Sequence, residues 1–343
     1  MPQRSWSSNV VQIASLILAM HLFGKGTISC GQDNETKSDH RHQELTDPQT
    51  KDRQDRIWLL STRSLVSRAT QVSLEQPAFE ISKLNSKNLF ESVQFDEFIG
   101  QLAERRRAVI YVHGNRFTAE DAIERGRLVH SKVSNQEAEQ PLDWVIWSWE
   151  SDKNGILVHD ARLKANRTEG QGLYLGWLLR KHASNRIPTT LVGYSFGGRV
   201  VTGALHAAAG GELGGAAIGG EATLNGPFNA ALIAPAIDSL WLAQRGYHRL
   251  ATQNLDRLTL LYNHRDAVLK RYWLIDRVQG RLALGYTGPR SFAPRHDGSS
   301  LPVLSRDCSD SIGVKHDELY YFQKSCHAGR EIAALIDQQP ASE

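Results

Sequence analysis

Residues 187–208 read IPTTLVGYSFGGRVVTGALHAA. The segment IPTTLV has the character of a short buried strand, and FGGRVVTGALHAA that of a helix. Between them, Gly193 to Gly197 spell G-x-S-x-G. Alone this pattern is weak, because a glycine-rich chain produces it by chance. Set directly between a strand and a helix, it describes a sharp turn that lifts Ser195 above the sheet edge. Positions two before and two after the serine must lack bulk, and both are glycine. The competing reading is an ordinary strand–helix turn with a capping serine.

Working outward, strands are expected at Ile57–Ser61, Ala108–Val112, Leu142–Ser148, Thr189–Val192, Ala230–Ala234 and Leu258–Tyr262. Helical patterns cover 95–106, 119–132, 167–183, 196–208 and 318–337. This alternation predicts an α/β fold with a mostly parallel central sheet and helices on both faces. Residues 207–220 (AAAGGELGGAAIGG) break the rhythm. They read as a frayed helix end and surface loop, or as a mobile flap beside a site.

Ser195 is a candidate nucleophile, and the Phe196 amide follows it toward a developing oxyanion. A second amide is expected from an earlier strand–loop junction, where AVIYV runs into His113-Gly114-Asn115-Arg116. A glycine there admits close backbone approach, and Asn115 is the expected donor. His113 is an alternative base, but it precedes the serine. Arg116 reads as a solvated loop residue or as a contact for an anionic substrate group. Asp266, just past LTLLY, is the favoured acid, with Asp238 as the other candidate. His316, on a loop before the last helical pattern, is the favoured base over His327, and His264 reads as structural. Ser195, His316 and Asp266 together suit attack on a carbonyl through a covalent intermediate. Trp147, Trp149, Tyr194 and Phe196 are candidates to line an acyl pocket, though tryptophans near strand ends are commonly plain core.

Residues 1–30 read as an export signal, with Arg4 ahead of a 14-residue stretch, Val10–Phe23, that holds 11 apolar residues. That is too short for a bilayer span and suits a signal-peptide core. Ser29-Cys30 resembles a lipoprotein cleavage site, although Thr27 stands where leucine is usual. Residues 31–56 carry seven acidic and five basic side chains and a single apolar one, Leu45, and read as a disordered tether. The remainder, 57–343, reads as one folded domain. Export would make the protein periplasmic, membrane-anchored through a lipidated Cys30, or secreted.

The net charge of +3 over 343 residues argues against nucleic-acid binding. With three cysteines and no CxxC pair, neither a metal nor another cofactor is expected. Cys308 and Cys326 flank His316. In an oxidising compartment they would close a loop of about 19 residues worth about 3 kcal/mol. The alternative is two buried thiols.

Ser61-Thr62-Arg63, VHGN, Trp147-Ser148-Trp149, GYSFGGR, NHRDAVL and HDELYY together resemble the α/β-hydrolase superfamily. The resemblance is closest to a bacterial lipase/esterase-like family of undefined substrate. It spans about Ile57 to Phe322 and implies the α/β-hydrolase fold and the roles of Ser195, Asp266 and His316. Without a long apolar lid pattern, a small or medium acyl ester is the expected substrate. An acyltransferase or thioesterase on the same residues, or an inactive surface-binding scaffold, are the other readings.

Overall fold

The computed structural model describes residues 54–338, apart from 105–106, 137–140, 156, 277–279 and 324. All of them lie within one compact unit, Gln49–Glu343. The expected signal segment, Cys30 and most of the tether lie outside the described residues.

The strands are β1 (Arg56–Ser61), β2 (Glu80–Leu84), β3 (Phe90–Ser92), β4 (Arg107–Val112), β5 (Leu142–Ser148), β6 (Thr189–Tyr194), β7 (Phe228–Ile233), β8 (Leu255–Tyr262) and β9 (Val303–Asp307). The main helices are α1 (Phe95–Leu102), α2 (Ala119–Ser134), α3 (Leu157–Ser184), α4 (Phe196–Ala208) and α5 (Ala328–Asp337). The sheet order is β3-β2-β1-β5-β4-β6-β7-β8-β9. The β1–β2 and β2–β3 pairings are antiparallel, and every other pairing is parallel.

β4, β6 and β7 are buried along their whole length, as continuous apolar runs in a doubly covered sheet should be. Two neighbours on β5 show that both faces are covered. Ile146 packs under α2, where a Cβ added at Gly126 would come within 2.7 Å of its Cγ1. Trp147 points the other way, donating from Nε1 to Gln171 Oε1 of α3 at 3.0 Å. Successive strand residues face opposite sides, so α2 and α3 lie on opposite faces. α4 packs along α3, and α5 packs beside α2.

The folded unit begins slightly before the expected boundary at Ile57. Arg56 opens β1, and its guanidinium meets the buried Asp143 carboxylate at 2.6 and 2.7 Å. Asp55 accepts from the Leu142 amide at 2.8 Å. These two charged residues therefore belong to the fold and not to the tether. The hairpin β2–β3 and the edge strand β9 escape sequence reading because they are short and largely polar. Helix α3 runs ten residues further toward its start than the expected 167–183. The helix expected over 318–337 is divided: Glu318–Phe322 forms a 3-10 turn, and α5 starts only after His327 takes a left-handed φ of 59°.

The Gly/Ala segment 207–220 is docked rather than loose. Leu213 and Ile218 are buried. The Arg180 guanidinium of α3 donates to the carbonyls of Ala208 at 3.0 Å and Gly219 at 2.8 Å. The helix ends at Ala208 and a largely exposed loop follows, as expected, with these contacts tying it to the fold.

Cys308 and Cys326 form a disulfide with their Cα atoms 5.5 Å apart. It closes the segment that carries His316. Replacing both cysteines by serine should lower the melting temperature by about 5–10 °C, read by calorimetry on unreduced protein. An unchanged melting temperature would remove the bridge from the list of stabilising contacts.

Candidate active site

The site is built at the carboxyl ends of β4, β6 and β8. Ser195 sits in the turn between β6 and α4 with φ 52° and ψ −114°, a conformation unusual for a side chain with a Cβ. Its backbone is held from three sides. The amide donates to Ile233 O at 3.0 Å, and the carbonyl accepts from Gly198 N at 3.1 Å and Ala236 N at 3.0 Å. The two flanking glycines are sterically required. A Cβ at Gly197 would lie 2.0 Å from Val112 O, and one at Gly193 would lie 2.8 Å from Gly198 N.

The Ser195 hydroxyl lies 2.9 Å from His316 Nε2, and His316 Nδ1 lies 2.6 Å from Asp266 Oδ2. A carboxylate accepts, so Nδ1 carries the proton and Nε2 accepts from the serine. Asp266 is fully buried, and its other oxygen accepts from the amides of Val268 and Leu269, each at 2.9 Å. Burial alone would lower the His316 pKa. The charge and hydrogen bond of Asp266 outweigh that, with Asp317 and Glu318 adding to them, and hold it above the usual 6.5.

The structure thus brings Ser195, His316 and Asp266 together. The rival acid Asp238 is elsewhere, capping Leu240 N at 2.8 Å and facing Arg281 at 3.4 Å. His264 is exposed and pairs with Asp307 at 2.9 Å. His327 occupies the start of α5.

His113 is not a base. Its Nδ1–H donates to Gly114 O at 2.8 Å, and Nε2 accepts from the Trp149 amide at 3.2 Å. Burial pushes its pKa down to about 3, so it is a neutral, fully engaged ring. It lies between Phe117 and Trp149, with ring centroids at 5.2 and 5.7 Å. Trp149 in turn donates from Nε1 to His113 O at 3.1 Å. With no exposed surface, Trp149 has none to offer a substrate, which corrects its expected place in an acyl pocket. Its job is to shape the loop after β4.

That loop continues from His113 through Gly114 to Asn115 and Arg116. Gly114 is as close as expected, since a Cβ there would meet Ser195 Cβ at 3.3 Å. Arg116, at φ 71°, donates its amide to Ser151 O at 2.8 Å and to Asn115 Oδ1 at 2.9 Å. The Asn115 and Phe196 amides make no hydrogen bond with any described residue, which leaves both donors for another acceptor. The Arg116 side chain is half-buried.

Tyr194 was expected in the pocket wall, but it supports the histidine. Its ring stacks on His316 at 5.4 Å, and its hydroxyl donates to His316 O at 3.2 Å. Other supports had no clear sequence signal. Asn263 Nδ2 donates to Gly313 O at 2.8 Å, steadying the loop that carries His316. Arg63 donates to Ser148 Oγ at 2.8 Å and Phe117 O at 3.1 Å and pairs with Asp152 at 2.6 Å. It thereby joins the STR and WSW stretches to the loop after β4. Among the described residues, no three His, Cys, Asp or Glu side chains are grouped so as to hold a metal ion.

A mostly parallel sheet of this order, with Ser195 on a strand–helix turn and Asp266 and His316 after the next-but-one and last strands, defines the α/β-hydrolase fold. No family model and no curated protein matches the sequence. Among solved structures, esterase B from Lactobacillus rhamnosis aligns over 97% of this chain and 94% of its own, at 14% identity and a TM-score of 0.39. Carboxyl esterase 2 from the fungus Tuber melanosporum aligns over 76% and 84%, at 10% identity and a TM-score of 0.37. An esterase from Pyrobaculum calidifontis aligns over 70% and 78%, at 15% identity and a TM-score of 0.32.

Gly197→Ala should be among the most damaging small substitutions in the chain, because its methyl meets backbone and not a movable side chain. A loss of more than about 3 kcal/mol in urea unfolding is expected. A value below about 1 kcal/mol would show that the turn can relax.

Proposed function

We propose that this protein is a serine hydrolase that cleaves a carboxylic ester through an acyl-enzyme. The observation that carries the reading is the continuous hydrogen-bonded chain from Ser195 through His316 to the buried Asp266. His316 takes the Ser195 proton as the oxygen attacks the carbonyl carbon. Asp266 remains an anion and stabilises the imidazolium. The Phe196 and Asn115 amides receive the oxyanion, and losing one such donor typically costs about 3 kcal/mol. His316 then gives its proton to the departing alkoxide. Water enters, loses a proton to His316 and attacks the acyl-enzyme, and His316 returns that proton to Ser195 as the acid product leaves.

An acyltransferase or a thioesterase would use the same residues and differ only in acceptor or leaving group. A small or medium ester is favoured, with Arg116 as the candidate contact for an anionic group on it. The Cys308–Cys326 bridge supports export, because such bonds persist in oxidising compartments. On that reading residues 1–30 are the signal segment, cleaved just before Cys30, which stays on the mature chain as the lipidated anchor. Mass analysis of the mature chain should find an acylated Cys30 at its start, and an unmodified or absent Cys30 would reject the anchor.

A fluorophosphonate probe should label the wild type at Ser195, and Ser195→Ala should lose both labelling and at least about 10⁴-fold in turnover of p-nitrophenyl esters with the fold retained. Folded wild-type protein that takes no label would favour a binding scaffold. Because the His316 pKa is raised and the base must be neutral, kcat/KM should fall as pH drops through a value above 6.5.

A further inference from the structure

Two residues beyond His316, the side chain of Glu318 is completely buried. Its Oε2 accepts from the Tyr111 hydroxyl of β4 at 2.8 Å and lies 3.5 Å from Arg125 Nη1 of α2. The same guanidinium reaches Asp317 at 3.4 Å and sits over the Phe117 ring at 5.4 Å. Glu318 Oε1 has no partner among the described residues. A buried ion pair with an unsatisfied oxygen is a poor stabiliser compared with apolar packing of the same volume. Its position beside the base suggests a different use.

Glu318 stands amid charged and titratable groups from every element packed there. Tyr111 comes from β4 and Tyr194 from β6. Arg125, Asp121 and Glu124 line one small cavity on α2. Asp317 and Tyr321 flank it in sequence, and Asp266 lies across His316. From α5, Glu331 is engaged with Arg306.

We propose that Glu318 is a positioning residue for His316: it pins the base loop to β4 and α2, and its negative charge backs that of Asp266 in stabilising the imidazolium. The inference rests on His316 being the base of the proposed hydrolase. Burial pushes the Glu318 carboxyl up to about 7, against the opposing pull of Arg125 and Tyr111. Its charge in turn raises His316. The two groups then titrate as a pair. As pH rises Glu318 ionises, and the new charge makes His316 release its proton later, which spreads the histidine titration over a wider range.

The test is an NMR titration of the His316 ring in the full chain, assigned with His316→Gln, alongside the pH profile of ester turnover. The wild-type curve should be broader than a single-proton curve. In Glu318→Gln it should narrow to a single proton, with its midpoint lower by at least about half a pH unit, and the acid limb of kcat/KM should move the same way. Tyr111→Phe keeps both charges but weakens the ionised form of Glu318, so its midpoint should fall by less. A merely structural role would lower turnover at every pH and leave the midpoint in place. An unmoved midpoint in folded Glu318→Gln overturns the proposal, as does an unmoved midpoint in Tyr111→Phe where Glu318→Gln does not fold. The ring titration needs no turnover, so a failure of the hydrolase reading shows separately as wild-type protein that takes no fluorophosphonate.

Discussion

The site depends on how closely the first turn of α4 approaches the end of β4. Gly197 lies against Val112 O with no room for a methyl group. That contact fixes where the β6–α4 turn sits relative to the loop after β4. It also forces Ser195 into its φ of 52°, because the chain must reverse within one residue to bring the helix back over the sheet. A left-handed serine costs roughly 1–3 kcal/mol. Hydrogen bonds to Ile233, Gly198 and Ala236 hold it there, so the strain is distributed across β7 as well as β6.

The same contact explains the crowding around His113. A loop that bends away from the sheet leaves its polar groups without the partners a regular element would provide. Here the His113 ring supplies them, accepting from Trp149 N on one side and donating to Gly114 O on the other. A histidine serves because it offers one donor and one acceptor in a fixed plane, and burial keeps it neutral. Arg63 does the equivalent work from β1, binding the far side of the loop through Phe117 O. The aromatic residues near the site thus hold the backbone that holds the site.

The central architecture was legible because its signals are local. A buried parallel strand is a continuous apolar run, and α4 was read with its observed limits, 196–208. The candidates Ser195, His316 and Asp266, which the structure brings together, followed from strand ends and chain order. What could not be read was set by contacts distant in sequence. Nothing in the order of residues says that Trp149 stacks on His113, 36 positions away, or that Tyr194 turns toward His316 and not toward a ligand. The hairpin β2–β3 and the strand β9 lack an apolar pattern because they border the sheet, where one side faces solvent. The disulfide was only one of two readings, because spacing does not reveal whether two Cα atoms lie 5.5 Å apart.

That last edge bears on why the loop carrying His316 is so heavily anchored. His316 is delivered by the chain leaving β9, whose residues are mostly exposed or half-exposed. A loop springing from such a strand cannot be fixed by apolar packing alone, yet His316 Nε2 is kept 2.9 Å from the Ser195 hydroxyl. Directional contacts take over. Asn263 holds the loop's carbonyls, and Tyr194 holds His316 O. Glu318 and Asp317 reach Arg125, and the disulfide closes the segment at both ends. Each anchor ends on a different element, among them β6, α2 and the turn after β8. A shift of the loop in any direction therefore stretches at least one of them. The histidine is held by convergence of weak constraints from several elements, whereas the place of the serine is set by one steric contact, Gly197 against Val112 O, and kept by three backbone hydrogen bonds.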